Sequence, residues 1–292
     1  MTPPSRPRRQ PAPQDLFPTT PAGRGRTPPD LHIGIGGWTY VPWRGGMFYP
    51  EGLVQRRELE YASRQLTSIE INGTYYGTQK PATYAKWRDE TPEGFLFSAK
   101  APRRIMEARD LARTGAQIED FIGGIVELGD KLGPLVWQFD QGQRIDASKF
   151  REFIALLPDQ HAGRRLRHAL DVRDPDFVDA DYLTLARSRG MATVFTDSET
   201  HPSFADLTAD FVYARLMRSQ ASQATGYPES GLDEWCGRVR HWAEGGDPAD
   251  LPHLDGVVAP RRPREVFLYF ISAAKERNPA AAMRLLQKLA SG

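Results

Sequence analysis

From Leu31 onward, short stretches in which apolar and polar residues alternate are each followed by a longer segment whose apolar positions return every three to four residues. Side chains of a strand point alternately to opposite faces, whereas those of a helix gather on one stripe. The sequence Ser68-Ile69-Glu70-Ile71-Asn72 shows the first pattern plainly, with Ile69 and Ile71 on one face and Ser68, Glu70 and Asn72 on the other. Strands are predicted at Leu31 to Gly36, Ser68 to Asn72, Phe95 to Lys100, Leu135 to Phe139, Ala169 to Arg173, Thr193 to Asp197, Phe211 to Leu216 and Val266 to Phe270. Helices are predicted near Gln55 to Gln65, Pro81 to Asp89, Ala116 to Leu132, Ser148 to Leu157, Ala180 to Arg189, Leu232 to Trp242 and Pro279 to Leu289. Ser148 is the expected cap of its helix, and Gly190 the expected stop of the helix before it.

Strands alternating with helices imply a parallel sheet, and eight such units in about 260 residues match a TIM-like (β/α)₈ barrel, an α/β fold. The connection between Asp197 and Phe211 is too short for a long helix. An open doubly wound sheet is the alternative; no G-x-G-x-x-G fingerprint opens a helix here, which weakens it.

On these strands the polar parity ends in Glu70 and Asn72, Ser98 and Lys100, Gln138, Asp171 and Arg173, Asp197, and Arg215. The opposite parity, including Trp137, Phe139, Leu170, Val194 and Thr196, is expected to pack on the helices. In a closed barrel the polar set converges at the C-terminal mouth, where barrel enzymes place their chemistry. The six charges of the set sum to zero, so an internal ion network is the competing reading, although buried ion pairs are weak stability devices. Glu70, Lys100, Asp171 and Asp197 are the candidate acid, base or nucleophilic groups. Arg173 and Arg215 suit a bidentate grip on carboxylate or phosphate and are expected to hold one anion jointly, with Asp197 between them. Trp38, Tyr40, Asn72, Tyr75 and Gln138 complete the expected binding surface. None of the six histidines falls in a motif, and His168 has the parity opposite to Asp171, which reads as structural. No metal-ligand set or cofactor motif is evident, and a trinuclear zinc site would need several histidines at the mouth. The carboxylates leave a divalent metal as an open alternative.

Composition adds bounds. The 292 residues are 40% hydrophobic and 26% charged, ordinary for a globular chain. No apolar run approaches the roughly 20 residues of a membrane helix. A single cysteine, Cys236, rules out an intramolecular disulfide and fits a reducing cytoplasm. Residues 1–30 hold nine prolines, and five arginines against two aspartates give them +3, leaving −2 for residues 31–292 in a chain whose total is +1. They read as a disordered tail ahead of one barrel domain. With no apolar stretch of 7–15 residues, the tail is no secretory signal.

Ile33-Gly34-Ile35-Gly36-Gly37-Trp38-Thr39-Tyr40, Trp43-Arg44-Gly45, Phe48-Tyr49-Pro50, Ile69-Glu70-Ile71-Asn72, Thr74-Tyr75-Tyr76, Phe97-Ser98-Ala99-Lys100-Ala101-Pro102 and Leu135-Val136-Trp137-Gln138-Phe139 together resemble the YecE-like family, domain of unknown function 72. The resemblance runs from about Leu31 to Leu289. It implies a TIM-barrel-like fold, no established reaction, and Glu70, Asn72, Lys100, Gln138, Arg173 and Arg215 at positions where the family pattern has the same residue type. Asp171, Asp174 and Phe177 stand where the pattern has Glu, His and Trp, and Ile271-Ser272 where it has an Asn pair.

The expected function is a cytoplasmic hydrolase or lyase acting on an anionic, phosphate- or carboxylate-bearing substrate, small or polymeric. The rival is a non-catalytic barrel that binds nucleic acid by stacking on Trp38, Tyr40 and Trp43, or carbohydrate on the same rings. The slightly acidic folded part counts against nucleic acid.

Overall fold

The computed structural model describes residues 30–142 and 146–291. The tail expected over residues 1–30 lies, apart from Asp30, outside the described residues. Eight parallel strands close into a barrel: β1 (Leu31–Gly36), β2 (Ser68–Ile71), β3 (Leu96–Lys100), β4 (Leu132–Phe139), β7 (His168–Val172), β8 (Ala192–Asp197), β9 (Phe211–Leu216) and β10 (Glu265–Phe270). They pair in sequence order around the ring, and β10 closes on β1. A small antiparallel ribbon, β5 (Gln160–His161) with β6 (Arg164–Arg165), precedes β7.

The helices are α1 (Glu58–Gln65), the single turns α2 (Gly73–Tyr76) and α4 (Arg103–Met106), α3 (Pro81–Glu90), α5 (Gly115–Ile125), α6 (Ala147–Leu156), α7 (Ala180–Ser188), α8 (Glu229–Ala243) and α9 (Asn278–Ala290). Pro81 opens α3 where its missing N–H costs nothing. Helix α6 is capped by Asp146, whose carboxylate accepts from the Ser148 and Lys149 amides; Ser148 is not the cap. The helix expected to reach Leu132 ends at Ile125, because the chain tightens into a 3₁₀ segment over Val126–Lys131 and Gly129 turns to φ 60°, a conformation glycine adopts freely. That frees Leu132 to start β4 earlier than expected. No helix lies between β8 and β9. Among the described residues no helix is long and apolar enough to cross a membrane.

Two apolar layers follow from strand alternation. Ile69, Ile71, Phe97, Trp137, Phe139, Leu170 and Leu216 face outward into the main core, under the helices. Burying each such side chain stabilises by roughly 1.5–3 kcal/mol. Val136, Ala169, Val194, Tyr213, Phe267 and Tyr269 fill the barrel interior. Neighbouring parallel strands in register share a face, and this overturns one expectation. Thr196 pairs with inward Arg215 and Asp197 with outward Leu216. In β8 the inward parity is therefore Val194 and Thr196, and Asp197 points away from the barrel axis. At the N-terminal end, Phe267 stacks on His32 at 4.5 Å, and Glu265 binds His32 at 3.3 Å and also binds Arg167. This cluster stoppers the barrel from below.

Candidate functional site at the barrel mouth

The upper interior is built on hydroxyls. Ser68 Oγ and Tyr269 Oη are 2.7 Å apart, Ser98 Oγ and Tyr213 Oη 2.8 Å. The serines donate to the carbonyls of Leu96 and Pro134, and the Tyr213 hydroxyl donates to Glu70 Oε2 at 2.6 Å. On this layer sits Arg215, 1% exposed, whose Nε and Nη2 each donate to a Glu70 oxygen at 2.9 Å. Its Nη1 donates to Gln138 Oε1 at 3.1 Å and Asp171 Oδ2 at 2.5 Å. Burial pulls the guanidinium down, but Glu70 and Asp171 outweigh it and raise it above its ordinary value. Asp171 also accepts from Arg173 Nε at 3.2 Å, and Arg173 reaches Asp140 at 3.5 Å.

Above this floor opens a cavity of about 570 Å³, within the size range of small-molecule sites. Trp38, Glu70, Asn72, Tyr75, Lys100, Gln138, Arg173 and Arg215 all line it, whereas Tyr40, Asp171 and Asp197 do not. Among the described residues four of the lining side chains are cationic (Lys100, Arg173, Arg215 and Lys275), whereas Glu70 is the one carboxylate, and both its oxygens are taken.

Lys100 is the exception in this web. Among the described residues its Nζ makes no ion pair or hydrogen bond; it lies 3.9 Å from the centre of the Tyr75 ring, a cation–π contact. Burial, reinforced by Arg215 and Arg173 and only partly opposed by Glu70 and Asp140, lowers its ammonium to about 8. Tyr75 is braced by donating to Glu107 at 3.0 Å. Lys275 repeats the arrangement at the rim, its Nζ 4.6 Å from the Tyr40 ring, with burial lowering its pKa.

Several expectations change. Asp197 is not at the mouth: it pairs with Arg218 at 2.8 Å, while burial raises its carboxyl against the pull of that arginine. Arg173 and Arg215 do not flank Asp197 to clamp an anion; they share Asp171 instead. Gln138 is engaged at both ends, since its Nε2 donates to Asp140 at 2.5 Å. Tyr40 packs edge-on to Trp43 at 5.2 Å under Lys275, and Trp43 is buried in the core, so neither offers a free ring for stacking. Phe177 is packing, edge-on to Phe150 at 4.8 Å, and Asp174 makes a local turn by accepting from the Asp176 amide. Ile271 lies over Gly36, where a Cβ would come within 2.9 Å of it. Ser272 adopts φ 56°.

Lys275, Asn278 and Trp87 also line the cavity and were not anticipated. Lys275 and Asn278 follow the last strand, a position that in a barrel faces the mouth, which is the signal that could have found them. Trp87 sits on α3 and reaches the mouth only by packing edge-on against Trp38 at 4.8 Å. His168 is structural as read: it accepts from Trp137 Nε1 at 2.9 Å, and burial lowers it to about 4. Among the described residues no three His, Cys, Asp or Glu side chains gather as a metal would need.

Residues 32–292 match the family described as Protein of unknown function DUF72. The UPF0759 protein YecE of Escherichia coli K12 is 26% identical over 176 residues, and that match covers 58% of this chain and 59% of the relative's length. Among solved structures, a DUF72 family protein from Thermotoga maritima superposes with a TM-score of 0.64 at 19% identity, covering 88% of this chain and 96% of that one. One from Enterococcus faecalis V583 gives 0.65 at 14%, covering 90% and 96%. At such identities the structures speak for the fold alone. A family match that spans the barrel from β1 to α9 places the chain plainly: it belongs to the family described as Protein of unknown function DUF72.

Proposed function

We propose that the protein is an enzyme acting on a small anionic substrate, bearing a carboxylate or phosphate, in the C-terminal mouth, with Lys100 as the reacting amine. One observation carries this reading: among the described residues Lys100 faces the cavity without a counter-ion, while the neighbouring carboxylates Glu70 and Asp171 are held by arginine. A desolvated lysine beside other cations is a means of obtaining free amine near neutral pH. The cationic lining supplies the attraction for the anion.

We read the reaction as that of a lyase: Glu70 has no free oxygen with which to act as acid or base, so the proton transfer falls to Lys100. Neutral Lys100 Nζ can instead take the proton from a carbon beside the substrate's carboxylate. Nζ becomes ammonium, and the electron pair left on carbon expels a group from the adjacent carbon, leaving a double bond. The pocket cations offset the charge that develops.

The test is an elimination assay on a panel of β-hydroxy and β-phospho acids, followed by ultraviolet absorbance of the unsaturated product. Turnover is expected to rise with pH through about 8, as the free amine of Lys100 accumulates, and to fall to background in Lys100→Met. Turnover that survives this substitution would sink the reading.

A further inference from the structure

Lys100 has a counterpart elsewhere on the mouth. Lys275, half-buried in the 3₁₀ turn Lys275–Arg277 that follows β10, lines the same cavity. Among the described residues its Nζ makes no ion pair or hydrogen bond; it rests on two rings, 4.6 Å from the centre of Tyr40 and 5.6 Å from that of Trp43. The shelf is fixed, for Trp43 is buried and its Nε1 donates to the carbonyl of Lys275 itself at 2.9 Å. The Lys275 amide in turn donates to the Ala273 carbonyl at 2.8 Å. An aromatic face holds an ammonium in place and leaves its charge and its N–H groups unspent, whereas a carboxylate would neutralise it. The arginines of the mouth are of the neutralised kind: Arg215 is bound by Glu70 and Asp171, and Arg173 by Asp171 and Asp140. Among the described residues Lys100 and Lys275 are therefore the two lining cations without a counter-charge.

The two amines stand at different parts of the wall. Lys100 ends β3 and Lys275 follows β10, and β1 and β2 come between these strands in the ring. Burial alone lowers the Lys275 ammonium, whereas Arg215, Glu70, Arg173 and Asp140 all act on Lys100, so the two do not share one set of charged neighbours. The wall between them carries Trp38 after β1 and Asn72 after β2, both uncharged. We infer that the substrate is anionic at both ends, a dicarboxylate or a phosphocarboxylate, with the carboxylate beside the reacting carbon at the Lys100 end and the second anionic group held by Lys275. The inference rests on the anion-site reading above and extends it to substrate class and to a second binding residue. An anionic group at Lys275 supplies the counter-charge that offsets the desolvation of that ammonium. Lys275 binds and orients, and the proton transfer stays with Lys100. The cavity of about 570 Å³ has room for a short carbon chain charged at each end.

Isothermal titration calorimetry of the whole protein at pH 7 compares one-ended with two-ended anions: butanoate with succinate, hexanoate with adipate, and inorganic phosphate with 3-phosphoglycerate. The tightest two-ended anion is expected to bind at least about tenfold more tightly than its one-ended counterpart, the scale of one charge-assisted contact. A preference for succinate or adipate over 3-phosphoglycerate, or the reverse, tells dicarboxylate from phosphocarboxylate. In Lys275→Met the two-ended advantage should shrink about tenfold; the ligand comparison on the unaltered protein stands even where that variant fails to fold. One-ended anions binding as tightly as every two-ended one, or an advantage that survives in folded Lys275→Met, would overturn this inference while leaving the anion site intact. No anion bound by the unaltered protein would overturn both.

Discussion

Glu70 and Arg215, 145 residues apart, meet fork to fork at the barrel axis, with both carboxylate oxygens 2.9 Å from guanidinium nitrogens and neither side chain open to solvent. A pair so enclosed is the floor of the site and not its reacting part. Arg215→Met is expected to strand the Glu70 charge and cost about 3–5 kcal/mol, measured by chemical denaturation. The pair-removing double substitution with Glu70→Gln should recover part of that loss. A cost below about 1 kcal/mol for the single variant would show that Glu70 finds water or another partner.

Lys100 behaves oppositely, because among the described residues it has no carboxylate partner to strand. Its folded pKa, about 8, lies below the unfolded value of 10.5, so the fold penalises its charged form at neutral pH. The penalty is fully present below about 8 and is relieved as pH climbs toward 10.5. Lys100→Met should therefore melt higher than the parent at pH 7, and the gap should close between pH 8 and 10.5. A Met variant several degrees less stable at pH 7 would place Lys100 inside a pairing network.

His168 gives the acid limb. Burial keeps the imidazole neutral, outweighing the upward pull of the Pro158 carbonyl and Asp159, with a folded pKa of about 4 against 6.5. Its contribution is present above 6.5 and is lost as pH falls toward 4. In His168→Gln the drop in melting temperature between pH 6.5 and 4 should be shallower than in the parent. Equal slopes would assign acid sensitivity elsewhere.

Ser272 sits at φ 56°, a region asparagine occupies more readily than serine. Ser272→Asn is expected to raise stability by about 0.5–1 kcal/mol, read as a denaturation midpoint shift. Destabilisation would mean that the serine hydroxyl is needed at the lip.

The barrel was legible because Ile69, Ile71, Trp137 and Phe139 announce an outward face wherever Glu70 and Gln138 announce an inward one. The rule failed at β8, where Ala-Thr-Val-Phe-Thr-Asp mixes both classes on both parities. Only the register, Thr196 beside Arg215, decides which face is inward. The alternation likewise pointed Glu70, Lys100, Gln138, Arg173 and Arg215 into the mouth cavity, and Asp197 with them, which lies elsewhere, without revealing which were spent on each other. That Arg215 and Gln138 are saturated while Lys100 is free depends on distances across the barrel, such as 2.9 Å between Arg215 and Glu70, which no local pattern encodes. Lys275 and Asn278 lie just beyond the last strand, one in a short 3₁₀ turn and the other at the first residue of α9, ahead of the periodic pattern that would flag them.

The central claim is that Lys100 is an unpaired, partly neutral amine in an anion-attracting pocket. Pyridoxal 5′-phosphate, an anionic aldehyde, added at pH 7 in small excess and fixed with borohydride, tests it directly by peptide mapping. The account predicts one dominant reduced adduct, on Lys100, that is suppressed by excess succinate, adipate or 3-phosphoglycerate and absent from Lys100→Met. Adducts scattered over the exposed lysines, with Lys100 unmodified, would contradict it.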